Sequence, residues 1–258
     1  MSRLSRLCLV FLVAFVLSGF GHYVSAQDFR IENKISFGNK TIDNLTIFKG
    51  GIVYDFIKLN GEITILDKKN EEIKILEPTL RIQTSLTLAD LKQQVDELHT
   101  SFQVSSNPFL NFIARPVFDE SAYEPESGLM VFRSLWLDYE FTTKVFDDDE
   151  IAREYYDSSL WFSRLNVRVS PAAVSALVRA GLNQTLEQNK RFPEKVTVKL
   201  YPKGKNVLSS TTIQADSTHV ISKRLSESDN ALIAQAQQYM QSFLALPFEK
   251  YQQEVHKK

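Results

Sequence analysis

From residue 29 to residue 86, apolar side chains recur at every second position in short runs, the period of strands with one wet face. Residues 29–31 and 35–37 lead into a Gly38-Asn39-Lys40 turn. Residues 41–48 alternate and are rich in β-branched types, and Gly50-Gly51 breaks the run before residues 52–57. Asn60-Gly61 is a strong hairpin signal, after which residues 62–66 and 72–76 pair across a polar turn at 67–70. Residues 79–86 alternate once more, with Leu80 and Ile82 as the apolar members. The period then changes. Leu88, Leu91, Val95, Leu98 and Phe102 follow at three- and four-residue spacing, with Thr87 placed to cap and Asp90 three residues later, which predicts an amphipathic helix.

Residues 103–127 hold Pro108, Pro116 and Pro125 among mixed aromatics and read as a long ordered loop. Strands return over 128–146. Asp147-Asp148-Asp149-Glu150 opens a helix to about Leu165, and Ser170-Pro171 opens another through Val174, Leu177, Leu182 and Leu186. Three strands are expected at 195–201, 206–214 and 217–223. Ser226-Glu227-Ser228-Asp229 forms a capping box before the stripe Leu232, Ala236, Tyr239/Met240 and Phe243, ended by Pro247. Strands, a helix, strands, helices, a hairpin and a closing helix describe an α+β fold. Its sheet is largely antiparallel, free to curve, and covered by several amphipathic helices. No linker divides residues 27–258, so one domain is expected there.

The N-terminus changes how the composition is counted. Arg3 and Arg6, an apolar run over residues 7–17 and a Val24-Ser25-Ala26 ending match a cleaved export signal, with Gln27 as the mature start. The run falls short of the ~20 apolar residues that a membrane span requires. The chain has 258 residues, 30 basic and 31 acidic, for a net charge of -1. Cleavage takes two of those basic residues and no acidic one, leaving 28 against 31, a charge of -3. Such a balance offers no basic surplus for phosphate neutralisation, so a nucleic-acid partner is not expected. The single cysteine, Cys8, leaves with the signal. A mature chain without cysteine has no disulfide, thiolate nucleophile or cysteine-ligated metal, and it fits a bacterial periplasmic or extracellular protein.

Candidate chemistry is thin. His99, His219 and His256 are the histidines of the mature chain, with no paired-histidine spacing, so no metal site is assigned and no cofactor is implied. The serine-hydrolase elbow and the glycine-rich phosphate loops are absent. The acidic run at 147–150 lacks the alternation and glycine of a calcium loop and suits a helix N-terminus. Aromatic residues are the surplus. Tyr54, Phe56, Trp136, Tyr139 and Phe141 fall on expected strands, where they either fill the core between sheet and helices or line a concave face that holds a lipid or peptide chain.

The meander carrying Gly51-Ile52-Val53-Tyr54-Asp55-Phe56, the hairpin over 62–76 and the strands with interposed helices resemble the periplasmic lipoprotein-carrier proteins over residues 29–145. A Tyr-Asp-Pro segment occurs in that family, and this chain has Phe56 in the proline position. The resemblance implies a half-barrel sheet covered by helices, no catalysis, and an acyl chain or lipoprotein held in the concavity. Two other functions remain open: an exported hydrolase with a dispersed site near residues 103–127, drawing on His99 or His219, and a structural module that binds an envelope protein.

Overall fold

The computed structural model describes residues 27–170, 173, 175–205 and 212–257. The expected export signal with its cleavage position Ala26, the helix start at Pro171, and most of the strand expected over 206–214 lie outside the described residues.

The fold is α+β. One twelve-stranded sheet runs through the described residues in the order β12-β6-β5-β4-β3-β2-β1-β11-β10-β9-β8-β7. Its strands are β1 (Phe29–Phe37), β2 (Lys40–Lys49), β3 (Ile52–Ile57), β4 (Ile63–Asp67), β5 (Glu72–Glu77), β6 (Ile82–Thr87), β7 (Glu120–Glu124), β8 (Leu129–Arg133), β9 (Leu137–Val145), β10 (Arg191–Leu200), β11 (Ile213–Ser222) and β12 (Leu244–Ala245). The first six form the expected meander. Antiparallel pairing of β1 with β11, Asn33 opposite His219, joins that meander to the later strands. Among the described strands only the two-residue β12 runs parallel, beside β6.

Among the described residues six helices accompany the sheet: α1 (Leu88–Gln103), α2 (Pro108–Ala114), α3 (Asp149–Val169), α4 (Ser175–Gln188), α5 (Glu227–Ser242) and α6 (Phe248–His256). Thr87 caps α1 by accepting from the Asp90 amide at 3.0 Å. The acidic run does open α3: Asp148 accepts from the Ile151 amide, and Asp149 and Glu150 occupy the first turn. The Ser226–Asp229 capping box is formed at α5, and buried Asp229 also pairs with Arg30 at 3.1 Å.

The separate strands expected at 206–214 and 217–223 are, where described, one strand: β11 runs through Ala215 and Asp216 without a break. Two further segments differ from expectation. The presumed loop 103–127 contains α2 and the edge strand β7, because Pro108 takes the first helical turn, where no amide partner is lost, and Asn107 caps it. The helix expected to end at Pro247 stops at Ser242, β12 follows, and Pro247 instead caps the start of α6, so His256 lies in the last turn of a helix rather than in a tail.

Strand alternation divides the core by face. On the outer face Leu45, Ile47, Tyr54, Phe56, Ile63 and Ile65 pack beneath Ile233, Ala236 and Phe243 of α5 and its C-cap. The inner face carries two cores, both roofed by α3. One joins Phe29, Phe48 and Leu66 to Leu91, Ile151 and Phe248. The other joins Met130, Tyr139 and Phe141 to Tyr156, Val167 and Leu182. Burial of this kind stabilises by about 25 cal/mol per Å² of apolar surface.

Between β7 and β8, Gly128 adopts φ +70°, and a β-carbon there would lie 2.2 Å from the Thr143 carbonyl oxygen. The same backbone accepts from the Thr143 amide at 3.0 Å and from its hydroxyl at 2.6 Å. Gly128→Ala should therefore destabilise the protein by about 2 kcal/mol or more in urea unfolding, against no measurable change if this close approach is absent.

Candidate functional site

The inner face is not apolar throughout. At its centre, inward positions of five neighbouring strands carry Ser217 and His219 (β11), Asn33 (β1), Asn44 and Thr46 (β2), Asp55 (β3) and Thr64 (β4). The register sets them side by side: His219 opposite Asn33, Asn33 opposite Asn44, Thr46 opposite Asp55, and Asp55 opposite Thr64.

All of these groups but Thr64 are joined by hydrogen bonds that run in one direction. The His219 Nδ1 lies 2.6 Å from Asn33 Oδ1, an acceptor, so Nδ1 carries the proton and Nε2 is left to accept from Ser217 Oγ at 3.0 Å. The Asn33 amide donates to Thr46 Oγ1 at 3.1 Å, and the Thr46 hydroxyl donates to Asp55 Oδ1 at 2.6 Å. The Asn44 amide gives Asp55 a second donor at 3.1 Å. Every donor in the chain points toward the Asp55 carboxylate, and bonds aligned in this way polarise one another. Burial outweighs these donors and raises the Asp55 pKa above its ordinary value. Burial, aided by the Arg179 charge, lowers that of His219 to about 3, so its imidazole is neutral.

A helix cannot seal dry against such a row, and a cavity of about 410 Å³ separates it from α3 and α6. Ile31, Phe48, Ile75, Leu165 and Phe248 give it an apolar wall, while Asn166, Val169 and His256 form an exposed rim. The roof is tied down at several points. Lys68 reaches Glu154 at 2.6 Å and Asp157 at 3.0 Å on α3. Arg168 of α3 stacks over the Phe248 ring and pairs with Glu249, and Gln252 donates to the Val169 carbonyl.

Three polar atoms on this wall are buried without a hydrogen-bond partner: Ser158 Oγ, Tyr251 OH and Asn44 Oδ1. Ser158 is 1 % exposed and Tyr251 3 %. An unsatisfied buried polar group costs about 1–3 kcal/mol, so three at one site mark a place kept for something other than protein packing.

No protein-family model and no curated protein matches the chain.

The residues singled out from sequence lie elsewhere. Tyr54 and Phe56 are on the outer face beneath α5; Tyr139 and Phe141 stack at 5.7 Å in the second inner core; Trp136 sits 5.9 Å from Phe109 beside that core. None of the five lines the cavity. His99 does not line it either, since its Nε2 is bonded to the Ala114 carbonyl oxygen at 2.8 Å, whereas His219 does. Among the described residues no group of three histidine, cysteine or acidic side chains is placed to hold a metal, and no helix is long and apolar enough to cross a membrane. The residues that sequence reasoning missed are Asn33, Thr46 and Asp55. Their signal is a polar residue at an inward position, such as Asp55 between Val53 and Ile57, where the alternation calls for an apolar one.

Glu62 also faces the cavity. Burial, with Glu77 and Asp55 nearby, raises its pKa from 4.5 to about 7. A carboxyl held protonated in the folded chain favours folding most below its unfolded value, and that contribution is lost as pH rises through the folded one. Glu62→Gln should therefore raise the melting temperature relative to the parent near pH 8, by at most about 3 kcal/mol of stability, and the gain should vanish below about pH 4.5. Melting curves across this range check it; a difference that does not vary with pH contradicts it.

Proposed function

We propose that this is an exported, non-catalytic binding protein that holds an apolar ligand, an acyl chain or a lipoprotein, between the inner sheet face and α3 and α6. The observation that carries the reading is the cavity: an apolar wall with Ser158, Tyr251 and Asn44 presenting unpartnered polar atoms on it. Its volume lies in the range of about 300–1,000 Å³ common for small-molecule sites, which are mostly apolar with a few placed polar groups. The resemblance of residues 29–145 to the lipoprotein carriers leads to the same reading from the order of elements, and the N-terminal signal pattern supports export to the periplasm or beyond.

A second reading, a hydrolase, is favoured by the hydrogen-bonded Ser217–His219–Asn33 series, whose order is that of a nucleophile, base and orienting group. Two facts weigh against it. Burial makes His219 a poor base near neutral pH. The strand pairing of β11 with β1 and β10 engages the backbone amides that would otherwise form an oxyanion hole. A chromogenic ester screen with Ser217→Ala and His219→Ala separates the readings: the binding reading expects no activity to lose.

Ser158→Phe fills the cavity from α3 without breaking any hydrogen bond. It should weaken binding of the neutral fluorophore phenylnaphthylamine by about tenfold or more, with a melting temperature within about 4 °C of the parent. Undiminished binding by a folded variant counts against the site.

A further inference from the structure

The electrostatics of the cavity are one-sided. Asp55 on β3 and Glu62 in the turn just before β4 both present carboxylates to it, and no lysine or arginine is among its lining residues. The Glu62 side chain has neither a hydrogen bond nor an ion pair among the described residues. Carboxylates taken out of water are ordinarily paired with a cation, and this chain follows that rule at Asp229, which is 1 % exposed and held by Arg30. Arg179, whose charge lowers the His219 pKa, hydrogen-bonds the lining residue Tyr155. It is engaged by Asn183 at 2.8 Å, stacks over Phe141, and does not line the cavity.

The unpartnered groups lean the same way. Asn44 Oδ1 is an acceptor without a donor, close to Asp55, to which its own amide donates. Tyr251 OH and Ser158 Oγ have lone pairs free, and Tyr251 feels the charges of Glu62 and Glu77. The two hydroxyls can donate as well as accept, so the carboxylates of Asp55 and Glu62 and the Asn44 oxygen set the preference: they suit a group with several N–H donors and a positive charge, whereas a carboxylate head group meets repulsion. The remaining titratable groups on the wall are Tyr155, the neutral His219 and His256 at the rim, and none of them supplies a buried cation.

We infer that the ligand is a cationic amphiphile: a protonated amine head group seated between Asp55, Glu62 and Asn44, with its hydrocarbon chain along Ile31, Phe48, Leu165 and Phe248. This inference rests on reading the cavity as an apolar-ligand site. It goes further in naming the head group, and it narrows the apolar ligands to chains that do not end in a free carboxylate. Charge-assisted hydrogen bonds inside a partly desolvated site are about twice as strong as neutral ones, so the head group decides among ligands of equal chain length.

The test is calorimetric titration of the full mature chain with dodecylammonium, dodecanol and dodecanoate, below their micelle concentrations and at about pH 8, where Glu62 is ionised. Dodecylammonium should bind about tenfold or more tighter than dodecanol, and dodecanoate more weakly than either. Glu62→Gln should reduce the preference for dodecylammonium over dodecanol to under about threefold. Glu62→Gln keeps the shape of the side chain and folds at least as stably, and the comparison on the parent protein stands without any variant. Equal binding of the three probes, or a preference for dodecanoate, overturns the head-group inference and leaves the cavity as an apolar site. Failure of all three to bind overturns both.

Discussion

The chain of hydrogen bonds from Ser217 through His219, Asn33 and Thr46 to Asp55 is the constraint on which the rest depends. Polar side chains on the covered face of a sheet are costly unless each finds a partner, and here the partners sit on neighbouring strands. The register of β11, β1, β2 and β3 is therefore specified twice, by the backbone ladder and by the side chains. A slip by one residue would turn Asp55 outward and Tyr54 inward, losing both the polar chain and the core beneath α5.

From that constraint the cavity follows. Helix α3 packs closely where the inner face is apolar, on Phe29 and Phe48 toward one side and on Tyr139 and Phe141 toward the other. Over the polar row it bridges rather than packs, and its own small residues there, Ser158, Ser159 and Ser163, keep the space open. On the proposed binding reading, the apolar wall would supply non-directional affinity in proportion to buried area, and the carboxylates of Asp55 and Glu62 would supply the discrimination. The structure thus divides the work between a scaffold fixed by two dry cores and a gap between them that stays partly unsatisfied.

Much of the scaffold was legible in the sequence because it rests on local rules. The period-two pattern located β1–β6, Asn60-Gly61 located a hairpin, and the caps at Thr87, Asp148 and Ser226 located α1, α3 and α5. Proline misled twice: Pro108 and Pro247 read as interruptions and in fact begin helices. The site was largely illegible. Asn33 and His219 are 186 residues apart, so their pairing is a product of sheet order, which no window of sequence contains. The aromatic residues drew attention for their size, yet Tyr54 and Phe56 share strand β3 with Asp55 and point to the opposite face. An inward polar residue in an alternating strand was the better signal.

The most direct test of the central claim is the crystal structure of the mature chain with dodecylammonium bound. The account predicts continuous density for the chain between Phe48 and Phe248, with the head group within hydrogen-bond distance of Asp55 or Glu62. A cavity collapsed by closure of α3 onto the sheet, or density for the probe on the outer face with the space beside Ser158 and Tyr251 unfilled, would contradict it.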